Sequence, residues 1–255
     1  MNLKLIIQTV FVSLFFMSQS QKVFNQNRTP NIIPIKAGCN CYLICSNDGA
    51  VLIDAGSHHK LQAFDKVLAQ NGLTWDTIKY IIITHTHYDH VANLAEIKKR
   101  SGAKVIIHKN ESSFIESGIT PLPEGMTFTG KIGICYTRHL GKHNVKVCPA
   151  AAEISVEDNY TIPGFGYRII YNPGHSSGSI SLILNDNICF CGDAAFAVLG
   201  NNLMPITGEC KTGIVESWIK LLDTGCTIFY PGHGKPFTFK ELQKSLQKYK
   251  KLLSQ

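Results

Sequence analysis

Short apolar runs bounded by turn residues recur along the chain, a pattern typical of buried β-strands. In the first half they occupy residues 32–35, 42–45, 51–53, 80–83 and 105–107. In the second half they occupy residues 153–156, 167–171, 179–184, 188–191 and 228–230. Apolar residues at helical spacing predict helices at residues 61–68, 90–100, 213–222 and 239–253. Strands mixed with helices in both halves predict an α/β fold, with two sheets forming a sandwich.

Residues 120–152 follow neither period and are rich in Pro, Gly and Thr. A connection of this length without regular structure usually forms a lid or a binding loop. We therefore predict an irregular segment here, between the two halves of the domain.

The 255 residues, 44% hydrophobic and 17% charged, can bury the core of one large domain, which we place at residues 31–255. Before it, Lys4, the apolar stretch 5–17 and the small residues at 18–20 predict a cleaved signal peptide at residues 1–20. Residues 21–30 form a polar linker. Since the apolar stretch falls short of the roughly 20 residues that span a bilayer, we expect no stable membrane insertion and a secreted or periplasmic protein.

Nine cysteines are an odd number, so a monomer keeps at least one free thiol. Most lie in apolar runs, where Cys behaves as a small hydrophobe, and we interpret them as structural while an oxidised pair stays open. The net charge of +7 is spread without a basic run or interleaved aromatics. The charge hints at an anionic partner, but this distribution argues against nucleic acid.

The segment Thr84-His85-Thr86-His87-Tyr88-Asp89-His90 directly follows the predicted strand at 80–83. In an extended segment alternate residues share a face, so His85 and His87 can point at one metal ion. Asp89 and His90 then lie at the turn into the next helix and can face a second ion. This donor set suits zinc well, and iron or manganese less well.

Three further residues of ligand type each follow an apolar strand within a glycine-containing turn: His175, Asp193 and His233. Loops at strand ends are where rigid scaffolds carry reactive groups, and glycine allows the backbone to approach an ion closely. The three positions therefore strengthen the prediction of a metal site.

The motif His-x-His-x-Asp-His, followed in order by a His, an Asp and a His, resembles the metallo-β-lactamase superfamily over residues 32–253. The resemblance implies an αββα four-layer sandwich with two metal ions. It places one ion on His85, His87 and His175 and the other on Asp89, His90 and His233. It also implies that Asp193 bridges them.

A hydrolase of this kind uses a hydroxide shared by two zinc ions, with iron or manganese as alternatives, and we assign Asp89 the catalytic role of positioning it. The expected partner is a small-molecule substrate, namely an ester, thioester, lactone or lactam. β-Lactamase proper is an alternative, although true β-lactamases of this superfamily carry Cys or Ser where this chain has Asp193. An iron-dependent redox protein, persulfide dioxygenase-like or flavodiiron-like, is another, although His87 departs from the flavodiiron pattern. The complete ligand set argues against a non-enzymatic protein.

Asp54 ends a strand in Leu-Ile-Asp-Ala-Gly, and in similar proteins this Asp lies beneath the metals and orients their ligands. We interpret His58 and His59 as exposed residues at a helix start. His108 is interpreted as a strand-end histidine that is satisfied by hydrogen bonds.

Residues 125–152 contain no Asp or Glu, and their basic residues are Lys131, Arg138, Lys142 and Lys146, joined by His139 and His143. We hypothesise a basic lid that attracts an anionic substrate, with Arg138 gripping a carboxylate. A solvated loop is the alternative reading.

Overall fold

A computed structural model describes residues 30–140, 144–198 and 202–253. The predicted signal peptide at 1–20 lies outside these ranges, as do Lys142 and His143 of the hypothesised lid. Within them, none of the helices combines the length and the apolarity needed to cross a membrane.

The first sheet has six strands in the order β1-β2-β3-β4-β5-β9. Strands β1 to β3 pair antiparallel, whereas β3, β4, β5 and β9 pair parallel. Their bounds are β1 Asn31–Lys36, β2 Asn40–Ser46, β3 Gly49–Ile53, β4 Ile78–Ile82, β5 Lys104–His108 and β9 Ile154–Val156.

The second sheet also has six strands, in the order β10-β11-β12-β13-β15-β16, and only its β13–β15 pair is parallel. Their bounds are β10 Tyr160–Thr161, β11 Arg168–Tyr171, β12 Ile180–Leu184, β13 Ile188–Ala197, β15 Ile228–Gly234 and β16 Phe237–Thr238. Two small ribbons accompany the sheets: β6 Ile119–Pro121 with β8 Asn144–Lys146, and β7 Glu124–Gly125 with β14 Thr207–Gly208.

The helices are α1 Leu61–Gln70, α2 Tyr88–Val91, α3 Leu94–Ser101, α4 Lys109–Ser117, α5 Phe128–His139, α6 Lys211–Asp223 and α7 Phe239–Leu253, with a 3-10 turn at Trp75–Thr77. The predicted helix at 90–100 is thus two helices. The side chain of Asn93, between them, donates hydrogen bonds to the carbonyls of Ala55 and Ser57.

Three buried apolar clusters define the layers. One joins the first sheet to α1, α3 and α4 through residues such as Leu52, Phe64 and Ile97. A second, around Trp218 and Phe229, joins the second sheet to α6 and α7. The third lies between the two sheets and includes residues of both, such as Ile44, Ile82, Leu182 and Phe190. The predicted αββα four-layer sandwich is confirmed.

The prediction of irregular structure at residues 120–152 was wrong, because this segment contains α5 and the strands β6, β7 and β8. Helix α5 carries Phe128, Ile132 and Tyr136 at spacings of four, yet these side chains are exposed rather than buried. Its two glycines, Gly130 and Gly133, further weaken the helical pattern. A short helix that buries little against the core lacks the amphipathic signal on which the prediction depends.

Candidate metal centre

The seven candidate ligands meet at one edge of the two sheets. His85 and His87 lie between β4 and α2, Asp89 and His90 lie in α2, and His175 follows β11. The sequence placed the other two in turns. In the structure Asp193 and His233 lie within β13 and β15, where the pairing shifts register between Phe190 and Phe196. Irregular pairing of this kind redirects side chains toward a site at a sheet edge.

Asp193 lies at the centre of this group. Its Oδ2 atom is close to Nε2 of four histidines: 3.3 Å from His175, 3.5 Å from His90, 3.5 Å from His233 and 3.7 Å from His85. On one side, Nδ1 of His87 lies 2.8 Å from Nε2 of His175. On the other, Oδ2 of Asp89 lies 2.9 Å from Nε2 of His233. The structure therefore brings all seven side chains together.

The donor atoms fall into compact groups that could each hold a metal ion, with atoms within 4.8 Å of one another. These groups are His85, His87 and His175; His85, His90 and Asp193; Cys39, Asp54 and His90; and Asp89, His90 and His233. The first and last are the two triads that the resemblance implied.

Contacts outside the centre orient three of the imidazole rings. Nδ1 of His175 lies 3.0 Å from the carbonyl of Thr207, and Nδ1 of His85 lies 3.1 Å from the hydroxyl of Thr84. Nδ1 of His90 lies 2.8 Å from Oδ2 of Asp54. Because the contact at Nδ1 fixes the orientation of each ring, Nε2 faces the centre and is available to bind a metal ion.

Asp54 lies beneath the cluster, as predicted, and is almost fully buried at 1% exposure. It also accepts hydrogen bonds from the backbone NH of Thr84 and from its hydroxyl, at 2.8 and 2.9 Å. Its φ of +61° lies in the left-handed region, which Asp and Asn tolerate better than most residues. One carboxylate thus connects the loop that begins the histidine motif to His90.

Burial and the neighbouring imidazoles determine the charge of the cluster. Burial, aided by His175, lowers the pKa of His87 to about 3, and burial lowers that of His175 to about 4. Burial acts to raise the pKa of Asp193, but His233 and His90 lower it to about 2 overall. His87 and His175 are therefore neutral beside an ionised Asp193, as a metal ion requires of its ligands. Burial acts to lower the pKa of His90 and of His233, but the acidic groups around them raise both, so a metal ion must displace their protons.

Two buried polar atoms in the centre, Nε2 of His90 and Oδ1 of Asp193, have no hydrogen-bond partner among the described residues. Leaving such atoms unsatisfied is costly, whereas a bound cation would satisfy both. Since the donors are imidazole nitrogens and carboxylate oxygens, the centre fits divalent metal ions.

Glu111, in the first turn of α4, is a residue that sequence reasoning missed. It is 1% exposed, and its Oε2 accepts hydrogen bonds from the backbone NH and the hydroxyl of Thr86. Its Oε1 accepts from Ser176 Oγ at 2.6 Å and from Gly178 N at 3.0 Å. Glu111 therefore joins the loop of His85 and His87 to the loop of His175.

The other histidines that were interpreted lie outside the centre. His58 and His59 are exposed just before α1. His108 ends β5, is buried, and accepts a hydrogen bond at Nδ1 from the backbone NH of Asn110. All nine cysteines are free thiols: Cys39, Cys41, Cys45, Cys189, Cys191 and Cys226 are buried, and Cys135, Cys148 and Cys210 are exposed.

The hypothesised basic lid is only partly supported. Pro121, Leu122, Thr129 and Val145 do line the mouth of the centre. Arg138 does not line it, because its guanidinium pairs with Glu124 at 2.5 Å on another side of α5.

Comparison with known proteins agrees with this geometry. The family model described as the metallo-beta-lactamase superfamily matches residues 35–233. A probable metallo-hydrolase of Streptococcus pyogenes is 27% identical over 212 residues, covering 79% of this chain and 82% of the relative. The hydroxyacylglutathione hydrolase GloC of Haemophilus influenzae is 25% identical over 222 residues, covering 84% of this chain and 94% of the relative.

Two solved structures share the fold. The archaeal metallo-beta-lactamase superfamily protein of Sulfolobus tokodaii has a TM-score of 0.61 at 22% identity, covering 87% of this chain and 86% of that one. The B3 metallo-beta-lactamase BLEG-1 has a TM-score of 0.64 at 22% identity, covering 84% of this chain and 97% of that one. With the matching family model and a buried cluster of metal ligands, the chain belongs to the metallo-β-lactamase superfamily and is a metal-binding metallo-hydrolase.

Proposed function

We propose that this protein is a dinuclear hydrolase that cleaves an ester, thioester or lactone bond. The observation that carries the proposal is the position of Asp193, whose single Oδ2 atom lies within 3.3–3.7 Å of four imidazole nitrogens drawn from both triads. A carboxylate so placed is suited to bridge two ions.

His85, His87 and His175 would hold one ion, and Asp89, His90 and His233 the other. Two divalent ions, when bound, activate water as a nucleophile near neutral pH and polarise the oxygen of the bond to be cleaved. Zinc is the metal that this His and Asp donor set favours, with iron and manganese as alternatives.

Asp89 is the group we assign to proton transfer. Its side chain is 33% exposed, compared with 3% for Asp193, so it faces the cavity through which a substrate enters. Burial acts to raise the pKa of Asp89, but His90 and His233 hold it below the ordinary range, so the carboxylate is ionised at neutral pH. It can orient water toward the substrate, accept its proton and pass a proton to the departing oxygen or sulfur.

The experiment that tests this proposal combines elemental analysis with a substrate screen. The metal-replete protein should contain two ions per chain and hydrolyse at least one member of a panel of thioesters, lactones, β-lactams, and phosphate and sulfate esters. Iron in place of zinc, with redox activity, would favour the redox alternative. Cleavage of β-lactams alone would favour β-lactamase proper.

The variant Asp193→Ala should lower both the occupancy of the metal pair and the rate of hydrolysis. Asp223→Ala, at the exposed end of α6, is the matched control and should leave both unchanged. A metal content of no more than one ion in the wild-type protein, or full activity of Asp193→Ala, would contradict the dinuclear proposal.

We also propose export, with removal of residues 1–20 and a secreted or periplasmic location. Support comes from Lys4, the apolar stretch 5–17 and the small residues that follow it. Mass spectrometry of protein recovered from its native compartment should show an N-terminus near residue 21. An intact Met1 would argue for retention of the segment.

A further inference from the structure

The metal centre opens into a cavity of about 650 Å³. This volume lies within the roughly 300–1,000 Å³ of cavities that bind small molecules. Its floor includes four candidate ligands, His87, Asp89, Asp193 and His233. The cavity is therefore where the part of the substrate next to the scissile bond must lie.

The walls of this cavity are mainly apolar. One wall comes from the end of β6 and the residues after it, and the other from the end of β13 and the chain before β14. Together they present Pro121, Leu122, Pro123, Phe196, Val198 and Ile206. Val198 is 58% exposed and Ile206 is 37% exposed, so both have apolar surface available for a ligand. Binding of an apolar group to this concave apolar surface is favourable, because it removes both surfaces from water.

The apolar walls are held in place by the backbone. The carbonyl of Ile206 accepts hydrogen bonds from the NH groups of Met126 and Thr127, at 2.9 and 3.3 Å. Gly130 of α5 packs so closely on the same carbonyl that a Cβ there would lie 2.0 Å from its oxygen. These contacts join the chain before β14 to residues 126–130 and fix the position of Ile206.

The charges of the residues that line the cavity also favour an apolar ligand. Among the described residues that line the cavity there is neither Lys nor Arg. An anionic group on the part of the substrate far from the scissile bond would therefore contact apolar side chains. It would lose hydrating water without gaining a cationic partner, which is unfavourable.

We propose that this cavity binds an uncharged, apolar acyl group, so that the enzyme prefers neutral substrates with several carbons beside the scissile carbonyl. The inference rests on the proposed hydrolase function and replaces the anionic substrate that the basic lid suggested. Pro121, Leu122, Phe196, Val198 and Ile206 act as residues that determine specificity.

The test uses p-nitrophenyl esters and the matching thioesters with acyl chains from acetyl to decanoyl. In the wild-type enzyme, kcat/KM should rise about two- to fourfold per methylene, the gain expected when each is buried, until the cavity is filled. Each neutral ester is compared with one of equal length that ends in a carboxylate, such as heptanoate with adipate, and the neutral ester should react at least tenfold faster.

Val198→Asp places a charge on the exposed wall and should lower the ratio of octanoyl to acetyl kcat/KM at least tenfold. Ile132→Asp, on the exposed face of α5 outside this cavity, is the control and should leave the ratio unchanged. Metal content and Tm are measured for both variants. Equal rates along the acyl series, faster reaction of the anionic esters, or an unchanged ratio in folded, metal-loaded Val198→Asp would overturn the inference.

A binding measurement separates this inference from the proposed function. Titration of the metal-loaded protein with octanamide and with the monoamide of octanedioic acid should show at least tenfold tighter binding of the neutral amide, and Val198→Asp should weaken the binding of octanamide at least tenfold. If no substrate is hydrolysed but octanamide binds selectively, the hydrolase proposal fails and the cavity inference holds. If substrates are hydrolysed but the two amides bind equally, the reverse is true.

Discussion

The carboxylate of Asp54 lies 2.8 Å from Nδ1 of His90, and this contact directs Nε2 of the same ring toward Asp89 and Asp193. Because an outer carboxylate fixes the orientation and tautomer of a ligating histidine, Asp54→Asn should weaken metal binding about 10- to 100-fold. Asn also tolerates the left-handed backbone found at this position, so the variant should fold. Competition with a chelator measures the affinity.

The control for this change is Asp223→Asn, at the exposed end of α6. It should bind metal as the wild-type protein does. Unchanged affinity in Asp54→Asn would mean that His90 needs no partner to adopt its position.

Glu111→Gln tests whether the buried carboxylate connects the two histidine loops. An amide offers one oxygen where the carboxylate offers two, so its NH₂ group must face either the donors of Thr86 or those of Ser176 and Gly178. We expect a loss of about 2 kcal/mol or more in the free energy of unfolding, together with weaker metal binding. Thermal unfolding and chelator competition are the measurements.

Glu116→Gln changes an exposed glutamate on the same helix and should alter neither property. If Glu111→Gln lowers stability but leaves metal affinity unchanged, Glu111 supports the fold without positioning the ligands.

Gly232→Ala tests the close approach of the backbone to the centre. A Cβ at this position would lie 2.2 Å from Oδ1 of Asp193 and 2.8 Å from Cε1 of His90. Because real contacts are never this short, Asp193 must move, and the second metal ion should be lost or bound far more weakly. Elemental analysis after dialysis provides the measurement.

The matching control is Gly133→Ala, since a Cβ at Gly133 meets nothing within 4 Å. Alanine in an exposed helix should stabilise this protein slightly, by at most about 1 kcal/mol. Two ions retained by Gly232→Ala would show that this part of β15 shifts without loss of the metal site.

His108 provides a prediction for pH. Burial lowers the pKa of His108 below 6.5, and its neutral Nδ1 accepts the hydrogen bond that caps α4. At a pH between the pKa of His108 in the folded protein and its pKa in the unfolded chain, the unfolded chain binds more protons. The contribution of His108 to the free energy of unfolding is therefore complete above pH 6.5 and is lost as the pH falls toward the pKa of the folded protein. The loss is at most about 1.4 kcal/mol per pH unit.

His108→Asn keeps a capping side chain that does not titrate. Denaturant unfolding of the wild-type protein and of this variant between pH 5 and pH 7.5 should show a smaller pH dependence for the variant. Identical slopes would mean that His108 does not titrate differently in the folded and unfolded chains.

The ligands could be predicted from the sequence because each comes shortly after the start or the end of an apolar run, although in the structure Asp193 and His233 lie within β13 and β15. For His85 and His87, alternation along an extended segment was enough. Glu111 could not be found in this way, because its partners Thr86 and Ser176 lie 25 and 65 residues away. Only the packing of α4 on the sheet brings them together.

The fold class followed from the periodicity of the core, since the strands of both sheets are buried on one or both faces. Helix α5 was missed because Phe128 and Ile132 point to solvent, so no buried stripe marks the helix. The lid hypothesis placed Arg138 at the cavity for the same reason. Charge counted along residues 125–152 carries no information on which side chains face the cavity, and the ion pair of Arg138 with Glu124 depends on a ribbon that the sequence did not reveal.

The side chains of Asn40 and Tyr42 donate hydrogen bonds to the carbonyl of Pro231, at 2.9 and 2.7 Å, and Asn40 also donates to Gly234. These bonds fasten the segment around His233, which belongs to the second sheet, to the first strands of the chain. None of these bonds uses a side chain of a candidate ligand, so they hold His233 near the ligands of the first sheet independently of any metal ion. Little conformational entropy is left to lose when metal binds, so loading should proceed as a rapid capture by a preformed receptor, without a coupled folding step.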